Sequence, residues 1–173
     1  MPKLNTNAAK VIIALLSASI SLQACTNKQT KSSIEFEYII FGSYAGECLG
    51  DCAKLFKIEN EKLYIDTVEF PFGHNSGGFY PKEITFEQKA LPQEHYDIAQ
   101  RVLTNFPEEL SKIESQEFGC PDCDDRGAIY LEINLQGTRK IWTIDTSEQL
   151  IEPSFMISYR KELIEVLQNF PEI

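Results

Sequence analysis

Four cysteines fall into two close pairs. Cys48 and Cys52 are separated by three residues, and Cys120 and Cys123 are separated by two. Three kinds of chemistry use cysteine pairs at such spacing: disulfide bonds, four-thiolate zinc sites and C-x-x-C redox centres. The spacing alone leaves all three open, so the neighbouring charges and the compartment must decide among them.

The neighbouring charges disfavour redox catalysis at the second pair. A catalytic cysteine needs a stabilised thiolate, usually at a helix N-terminus or beside cations. Cys120 and Cys123 instead lie among Asp122, Asp124 and Asp125, and a predicted strand follows them. Negative neighbours disfavour a thiolate, so we do not expect an oxidoreductase.

No other pattern predicts catalysis. The glycine-rich segment 73–78 lacks the Gly-Lys-Ser/Thr of a phosphate-binding loop, and it is predicted to be a surface loop. His74 and His95 are the only histidines, and His95 is predicted to be solvated early in a helix. Trp142 is predicted to lie in the core. We therefore assign no catalytic residues and no cofactor.

The start of the chain is typical of an export signal. Lys3 and Lys10 precede an apolar stretch at residues 11–22. This length falls within the range of about 7–15 residues for a signal peptide, and it is shorter than the roughly 20 residues that span a membrane. The small-residue site that follows predicts a signal peptide over residues 1–24.

The segment 22–25 (LQAC) resembles the lipobox of bacterial lipoproteins. That resemblance implies diacylglycerol and palmitate-type acylation on Cys25, with cleavage before it. Thr26 gives no inner-membrane retention signal, so the resemblance implies an outer-membrane anchor facing the periplasm. Residues 26–33 are polar and predict a flexible tether that reaches about 26–29 Å when extended.

Export favours disulfides over free thiols. An exported chain meets an oxidising compartment, and the four cysteines that remain beside Cys25 are an even number. Four cysteines allow three pairings, of which we favour the local pairs Cys48–Cys52 and Cys120–Cys123. The same four residues, if reduced, supply the ligands of the alternative Cys₄ zinc site.

The mature chain is one acidic domain. Removing residues 1–24 leaves 149 of the 173 residues, and because that segment carries two lysines and no acid, the net charge changes from −10 to −12. Such acidity argues against nucleic acid as a partner, because phosphate contacts need Lys and Arg. The expected partners are the membrane, through the lipid anchor, and an envelope protein or small ligand. Residues 34–173 form the predicted domain.

Hydrophobic periodicity predicts an α+β fold. The elements follow the order β-β-β-β-α-β-β-α, and they predict a mainly antiparallel sheet with two helices packed on one face. Residues 70–81 are predicted to be a loop and residues 108–126 to be irregular. The predicted strands cover residues 35–44, 54–58, 62–70, 83–88, 128–135 and 139–145, and the predicted helices cover residues 92–106 and 153–170.

Two parts of the chain resemble each other. Residues 102–108 (VLTNFPE) and 166–172 (VLQNFPE) each close a predicted helix, and Ile-Asp-Thr occurs upstream at residues 65–67 and 144–146. A cysteine pair precedes each hairpin. The pattern predicts a duplicated ββα unit, although convergent helix-ending signals also explain it.

The segments 41–52 (FGSYAGECLGDC) and 120–127 (CPDCDDRG) are similar to motifs in small uncharacterised lipoproteins of Bacteroidetes-type bacteria. The resemblance implies no activity. We therefore predict a lipid-anchored cell-envelope protein with a non-enzymatic, disulfide-stapled binding or interaction domain. The alternative is a lipoprotein that binds metal or performs thiol redox chemistry through its four paired cysteines.

Overall fold

The computed structural model describes residues 34–46, 52–67, 72–75, 78–81, 84–147 and 153–170. The predicted α+β class is confirmed, since these residues form a six-stranded sheet, a separate two-stranded sheet and three α-helices. The strands are β1 (Tyr38–Tyr44), β2 (Ala53–Glu59), β3 (Lys62–Ile65), β4 (Phe72–Asn75), β5 (Gly78–Pro81), β6 (Gln116–Phe118), β7 (Ala128–Leu135) and β8 (Thr138–Asp145), and the helices are α1 (Gln93–Thr104), α2 (Glu108–Ser111) and α3 (Ser154–Gln168).

The large sheet is built outward from β1. Its strand order is β3-β2-β1-β7-β8-β6, and every neighbouring pair is antiparallel except β6 with β8. The hairpins β2–β3 and β7–β8 therefore extend from β1 in opposite directions. Residues 39–42 are all buried, which places the middle of β1 between two covered faces.

The larger core lies on the face that carries Phe41, Phe56 and Leu131. Buried apolar side chains from both long helices belong to the same cluster, because α1 and α3 repeat apolar residues every three or four positions. The helix residues buried in this cluster are Ala99, Val102, Met156, Tyr159, Leu163 and Val166.

A second and smaller core lies on the opposite face. Ile84 and Phe86 pack against it, and its buried members are Ile40, Tyr44, Ala53, Leu55, Ala128 and Tyr130. The sequence pattern predicts only one buried face. The second core forms because β1 and β7 carry apolar or aromatic side chains at successive positions rather than alternating with polar ones.

Two predicted connections differ in the structure. The loop predicted over residues 70–81 contains β4 and β5, which pair as an antiparallel hairpin. The strand predicted over residues 83–88 is not formed as such, because among the described residues of this stretch only Phe86 makes a ladder contact, a single bridge to Asp66. Main-chain hydrogen bonds from Thr67 to Thr85 and from Glu87 to Ile65 hold this segment along β3.

The region 108–126, predicted to be irregular, contains α2, β6 and a short 3₁₀ turn at Cys123–Asp125. The strand β6 has only three residues, two of them exposed, so it lacks the alternation that marks a longer strand. Its parallel pairing to β8 comes from tertiary structure, where Phe118 is buried beside Ile144.

Candidate functional site

The structure contains a disulfide between Cys120 and Cys123, whose Cα atoms are 5.5 Å apart. Cys52 is also disulfide-bonded, while its predicted partner Cys48 lies outside the described residues, as does the proposed lipidation site Cys25. Sulfur atoms joined in a disulfide are not thiolate ligands, so the alternative Cys₄ zinc site would require this bond to be reduced.

The two cysteine-bearing segments meet through one aspartate. Asp122 adopts a left-handed backbone conformation, and its carboxylate accepts hydrogen bonds from the main-chain N–H groups of Gly46 at 2.7 Å and Gly127 at 2.9 Å. Each of the two carboxylate oxygens thereby accepts one main-chain N–H group. Asp122 thus serves to join the two segments and is not poised to assist thiol chemistry.

A second aspartate holds the start of the Cys120 segment. The buried carboxylate of Asp145, at the end of β8, accepts hydrogen bonds from the N–H groups of Cys120 and Ser147. Gly119 has a φ of +77°, and a Cβ there would lie 2.7 Å from the Asp145 side chain. The close approach requires glycine at position 119. We call the region formed by the Cys120–Cys123 disulfide, Asp122 and Asp145 the stapled corner.

The other sequence candidates occupy structural positions. The prediction that His95 is solvated is wrong, because the residue is buried on α1 and its ring stacks on Phe170 with centroids 6.3 Å apart. Burial follows because His95 shares its helix face with Ala99 and Val102. Trp142 is buried as predicted, and its Nε1 donates to the main-chain oxygen of Glu114 at 3.1 Å. His74 lies in β4.

A cleft of about 810 Å³ lies between residues 34–37 before β1, the β2–β3 turn and the outer face of α1. Its volume is within the range of about 300–1,000 Å³ that small-ligand sites occupy. Apolar and aromatic surface comes from Ile34, Phe36, Ile58, Tyr96 and Leu103; amide and hydroxyl groups come from Asn60, Gln93, Gln100 and Thr104; carboxylates come from Glu35, Glu37, Glu59, Glu61 and Asp97.

The cleft is negative because, within the described part of the chain, four of its five carboxylates have no basic partner. Glu59 pairs with Lys57 at 3.2 Å, and it is the only lining carboxylate with an ion pair among the described residues. Burial raises the pKa of Tyr96, and the nearby charges of Glu61 and Asp97 raise it further. Carboxylates from separate elements therefore act on the same space.

One of these carboxylates stands on an unfavourable backbone. The β2–β3 turn has positive φ at both central residues, 51° at Asn60 and 57° at Glu61. Such turns favour Asn-Gly, because a side chain at positive φ costs about 1–2 kcal/mol. Glu61 retains a charged side chain at this position and presents it at the cleft.

A contrasting carboxylate is buried and fully paired. Glu132 of β7 accepts two hydrogen bonds from Arg139 of β8, both at 2.7 Å, one from Tyr38 at 2.8 Å and a short one from Tyr130. Burial, the hydrogen bond to Glu132 and its charge raise the pKa of Tyr38 to about 12. Burial is also the main reason why the pKa of Tyr130 is raised. With every oxygen engaged, Glu132 has a structural role.

Sequence reasoning missed the cleft because its residues are spread over three distant segments, at 34–37, 58–61 and 93–104. No spacing motif connects them. The excess of acid over base, which solubility alone explains, does not locate a site.

Comparison with known proteins gives no family for this chain. No protein-family model matches it, and no curated protein is significantly similar to it. Among the described residues, no helix is both long and apolar enough to cross a bilayer. Clues to function therefore come from the chain's own residues.

Proposed function

We propose that this chain is a lipid-anchored protein of the bacterial cell envelope, and that its domain binds a cationic ligand without catalysis. The observation that carries the proposal is the cleft at residues 34–37, the β2–β3 turn and α1, which combines apolar side chains with carboxylates, of which only Glu59 is paired to a base among the described residues. Low-dielectric walls lined by one sign of charge concentrate the opposite charge within them.

The paired carboxylate of Glu132 supports this assignment by contrast. The Glu132 carboxylate has a structural role. Arg139 neutralises its charge, and Tyr38 and Tyr130 donate hydrogen bonds to it. Glu35, Glu37 and Glu61 lie exposed and have no such partners among the described residues. Repulsion among unpaired carboxylates is unfavourable unless a cation relieves it, so a cationic ligand is the favoured occupant.

The stapled corner supports a structural, non-catalytic use of the Cys120–Cys123 pair. The disulfide, Asp122 and Asp145 fix the ends of β1, β7 and β8 where these strands meet the cysteine segments. The corner lies at the end of β1 opposite to residues 34–37, so it stabilises the sheet without forming the cleft.

The experiment on the cleft uses spermine, a linear organic cation, titrated calorimetrically at low salt. A variant with Glu35→Gln, Glu37→Gln and Glu61→Gln is compared with a control variant with Glu87→Gln, Glu109→Gln and Glu117→Gln, whose side chains are exposed outside the cleft. Both variants lose three charges. We expect the cleft variant to bind at least tenfold more weakly than the control, and equal affinities would refute the assignment.

Lipid anchoring is supported by the predicted signal peptide and by Cys25 after the lipobox-like residues. Intact-mass spectrometry of the protein, extracted from the envelope of a bacterium that expresses it, tests the anchor. We expect a chain that begins at Cys25 and carries acyl groups, and a Cys25→Ser variant that is unacylated. An unacylated wild-type chain in the envelope fraction would refute the anchor.

We also propose that α1 and α3 cover the same face of the large sheet. Both helices contribute to the larger core. Arg101 of α1 forms ion pairs with Glu162 and Glu165 of α3, at 2.7 and 2.9 Å. The Tyr159 hydroxyl donates to the main-chain oxygen of Val102 at 3.0 Å. These contacts support a two-helix layer on one face.

The duplicated ββα unit stays a prediction, and one-sided helix packing weighs against it. Since β2 and β7 are both antiparallel to β1, they are parallel to each other, while their hairpins extend in opposite directions. The two hairpins superpose by a half-turn about an axis that lies along β1, and this rotation exchanges the two faces of the sheet. It would carry α1 to the face opposite α3, so any structural repeat is limited to the hairpins.

A further inference from the structure

We infer that the ligand of the cleft is a short segment of another polypeptide that alternates basic with apolar side chains. The inference rests on the proposed function and names its partner class. The cleft combines five carboxylates with half-buried apolar side chains, so the occupant must be both cationic and apolar to match it.

The spread of the carboxylates excludes a single metal ion bound by the described residues as the match for this site. Glu35 and Glu37 come from the extended segment before β1, Glu61 comes from the turn, and Asp97 comes from α1. Among the described residues, no group of three or more His, Cys, Asp or Glu side chains is arranged to hold a metal ion. Separated charges fit separated cations on one extended ligand.

The apolar surface distinguishes a peptide from a simple polyamine. Ile34, Phe36, Tyr96 and Leu103 are only partly buried, although each packs against the larger core from its rim. Covering the remaining exposed part of a Leu or Phe side chain contributes to affinity in proportion to the apolar area removed from water. A polyamine offers thin methylene chains for this purpose, whereas a peptide offers apolar side chains next to the stems of Lys or Arg.

The polar groups of the cleft also match a main chain. Gln93 and Gln100 donate their amide N–H groups to Asp97, at 2.9 and 3.2 Å, which leaves their carbonyl oxygens as acceptors for main-chain N–H groups. Asn60, exposed on the turn, offers both a donor and an acceptor. A protonated polyamine has donors alone, so it leaves the Asn60 donor without a partner.

The test compares three probes on the full-length protein purified in an uncharged detergent. They are the blocked peptides Lys-Leu-Lys-Leu-Lys and Lys-Gly-Lys-Gly-Lys, which carry equal charge, and spermine. We expect the leucine peptide to bind at least tenfold more tightly than the glycine peptide and more tightly than spermine. The Glu35→Gln, Glu37→Gln, Glu61→Gln variant should weaken the leucine peptide at least tenfold, while the Glu87→Gln, Glu109→Gln, Glu117→Gln control should not.

The outcomes separate this inference from the function on which it rests. Equal affinity for the two peptides, or tighter binding of spermine, overturns the inference and leaves the cation-binding cleft in place. Binding of none of the three probes overturns both. Binding of the leucine peptide that the cleft variant and the control variant weaken equally also overturns both, because it locates the affinity in overall charge.

Discussion

The two hairpins beside β1 differ in whether their carboxylates have basic partners. In β7–β8, Glu132 is buried and held by Arg139 from the same hairpin. In β2–β3, Glu61 stands in the turn without a basic partner among the described residues. Pairing makes the first carboxylate part of the fold. The second is left available, and this difference is the main support for the proposed binding cleft.

The turns of the hairpins repeat the contrast. Both have positive φ at their two central residues, but β7–β8 uses Gln136 and Gly137, with φ of 51° and 78°, where β2–β3 uses Asn60 and Glu61. Glycine adopts this conformation without strain. The β7–β8 turn is thus the less strained of the two. The β2–β3 turn is more strained because Glu61, whose carboxylate lies at the cleft, occupies a position that favours glycine.

The largest expected effect comes from breaking the paired carboxylate. Arg139→Met leaves Glu132 buried without its cation. Removing one partner of a buried pair costs about 3 kcal/mol of unfolding free energy, and because the Arg139 side chain is 49% exposed this is the upper limit of the expected loss. Urea denaturation measures the change. Arg139→Lys is the control, because it keeps the charge but loses the two-pronged geometry, so its loss should be smaller. A change below about 0.5 kcal/mol in Arg139→Met would show that Glu132 does not depend on this pair.

The next effect concerns the staple before β7. Replacing Cys120 and Cys123 with Ser opens a ring of four residues, for which the loop-entropy relation predicts a loss of about 2 kcal/mol. Thermal unfolding of the oxidised wild type and the double variant measures it. Spermine affinity serves as the control, because the disulfide does not line the cleft and affinity should stay within twofold. Unchanged stability would mean that Asp122 and Asp145 hold the corner without the disulfide.

Exchanging the turn residues should move stability in opposite directions. Glu61→Gly relieves the positive-φ strain, offset partly by the entropy of glycine, and should raise the unfolding free energy by roughly 0.5–1 kcal/mol. Gly137→Glu should lower it by about 1 kcal/mol through strain alone, since a Cβ there meets no atom within 4 Å. Calorimetric unfolding tests both. Glu61→Gly should also weaken spermine binding, and a stabilised variant with full affinity would contradict a binding role for Glu61.

The smallest effect is a pH dependence of the paired region. Folding raises the pKa of Tyr38 from its ordinary value of 10.0 to about 12, so the contribution of this residue to stability is complete below pH 10. It is lost as the pH rises from 10 to 12, because the unfolded chain releases the proton first. Since Tyr38 is only partly buried, the loss should not exceed about 1 kcal/mol. Tyr38→Phe should flatten this part of the stability curve, and an unchanged slope would remove Tyr38 from the network.

Elements with strong periodicity could be predicted from the residues alone. The helices predicted over 92–106 and 153–170 and the hairpin predicted over 128–145 lie within a few residues of α1, α3 and β7–β8. In these segments the apolar positions and the turn residues Gln136 and Gly137 agree, so local chemistry and tertiary packing favour the same structure. The even cysteine count and the expected compartment favour disulfides but do not determine the pairing, and the structure contains the local bond between Cys120 and Cys123.

The location of the candidate site depends instead on tertiary contacts. Burial of His95, the parallel pairing of β6 and the capture of Glu132 by Arg139 and Tyr38 all require distant segments to meet. The cleft requires this most of all, because residues near 35, 60 and 97 share a space only after β1, β2 and α1 have packed. The sequence shows that the chain has excess negative charge, but pairing, which distinguishes a structural carboxylate from an available one, is a property of three-dimensional neighbours.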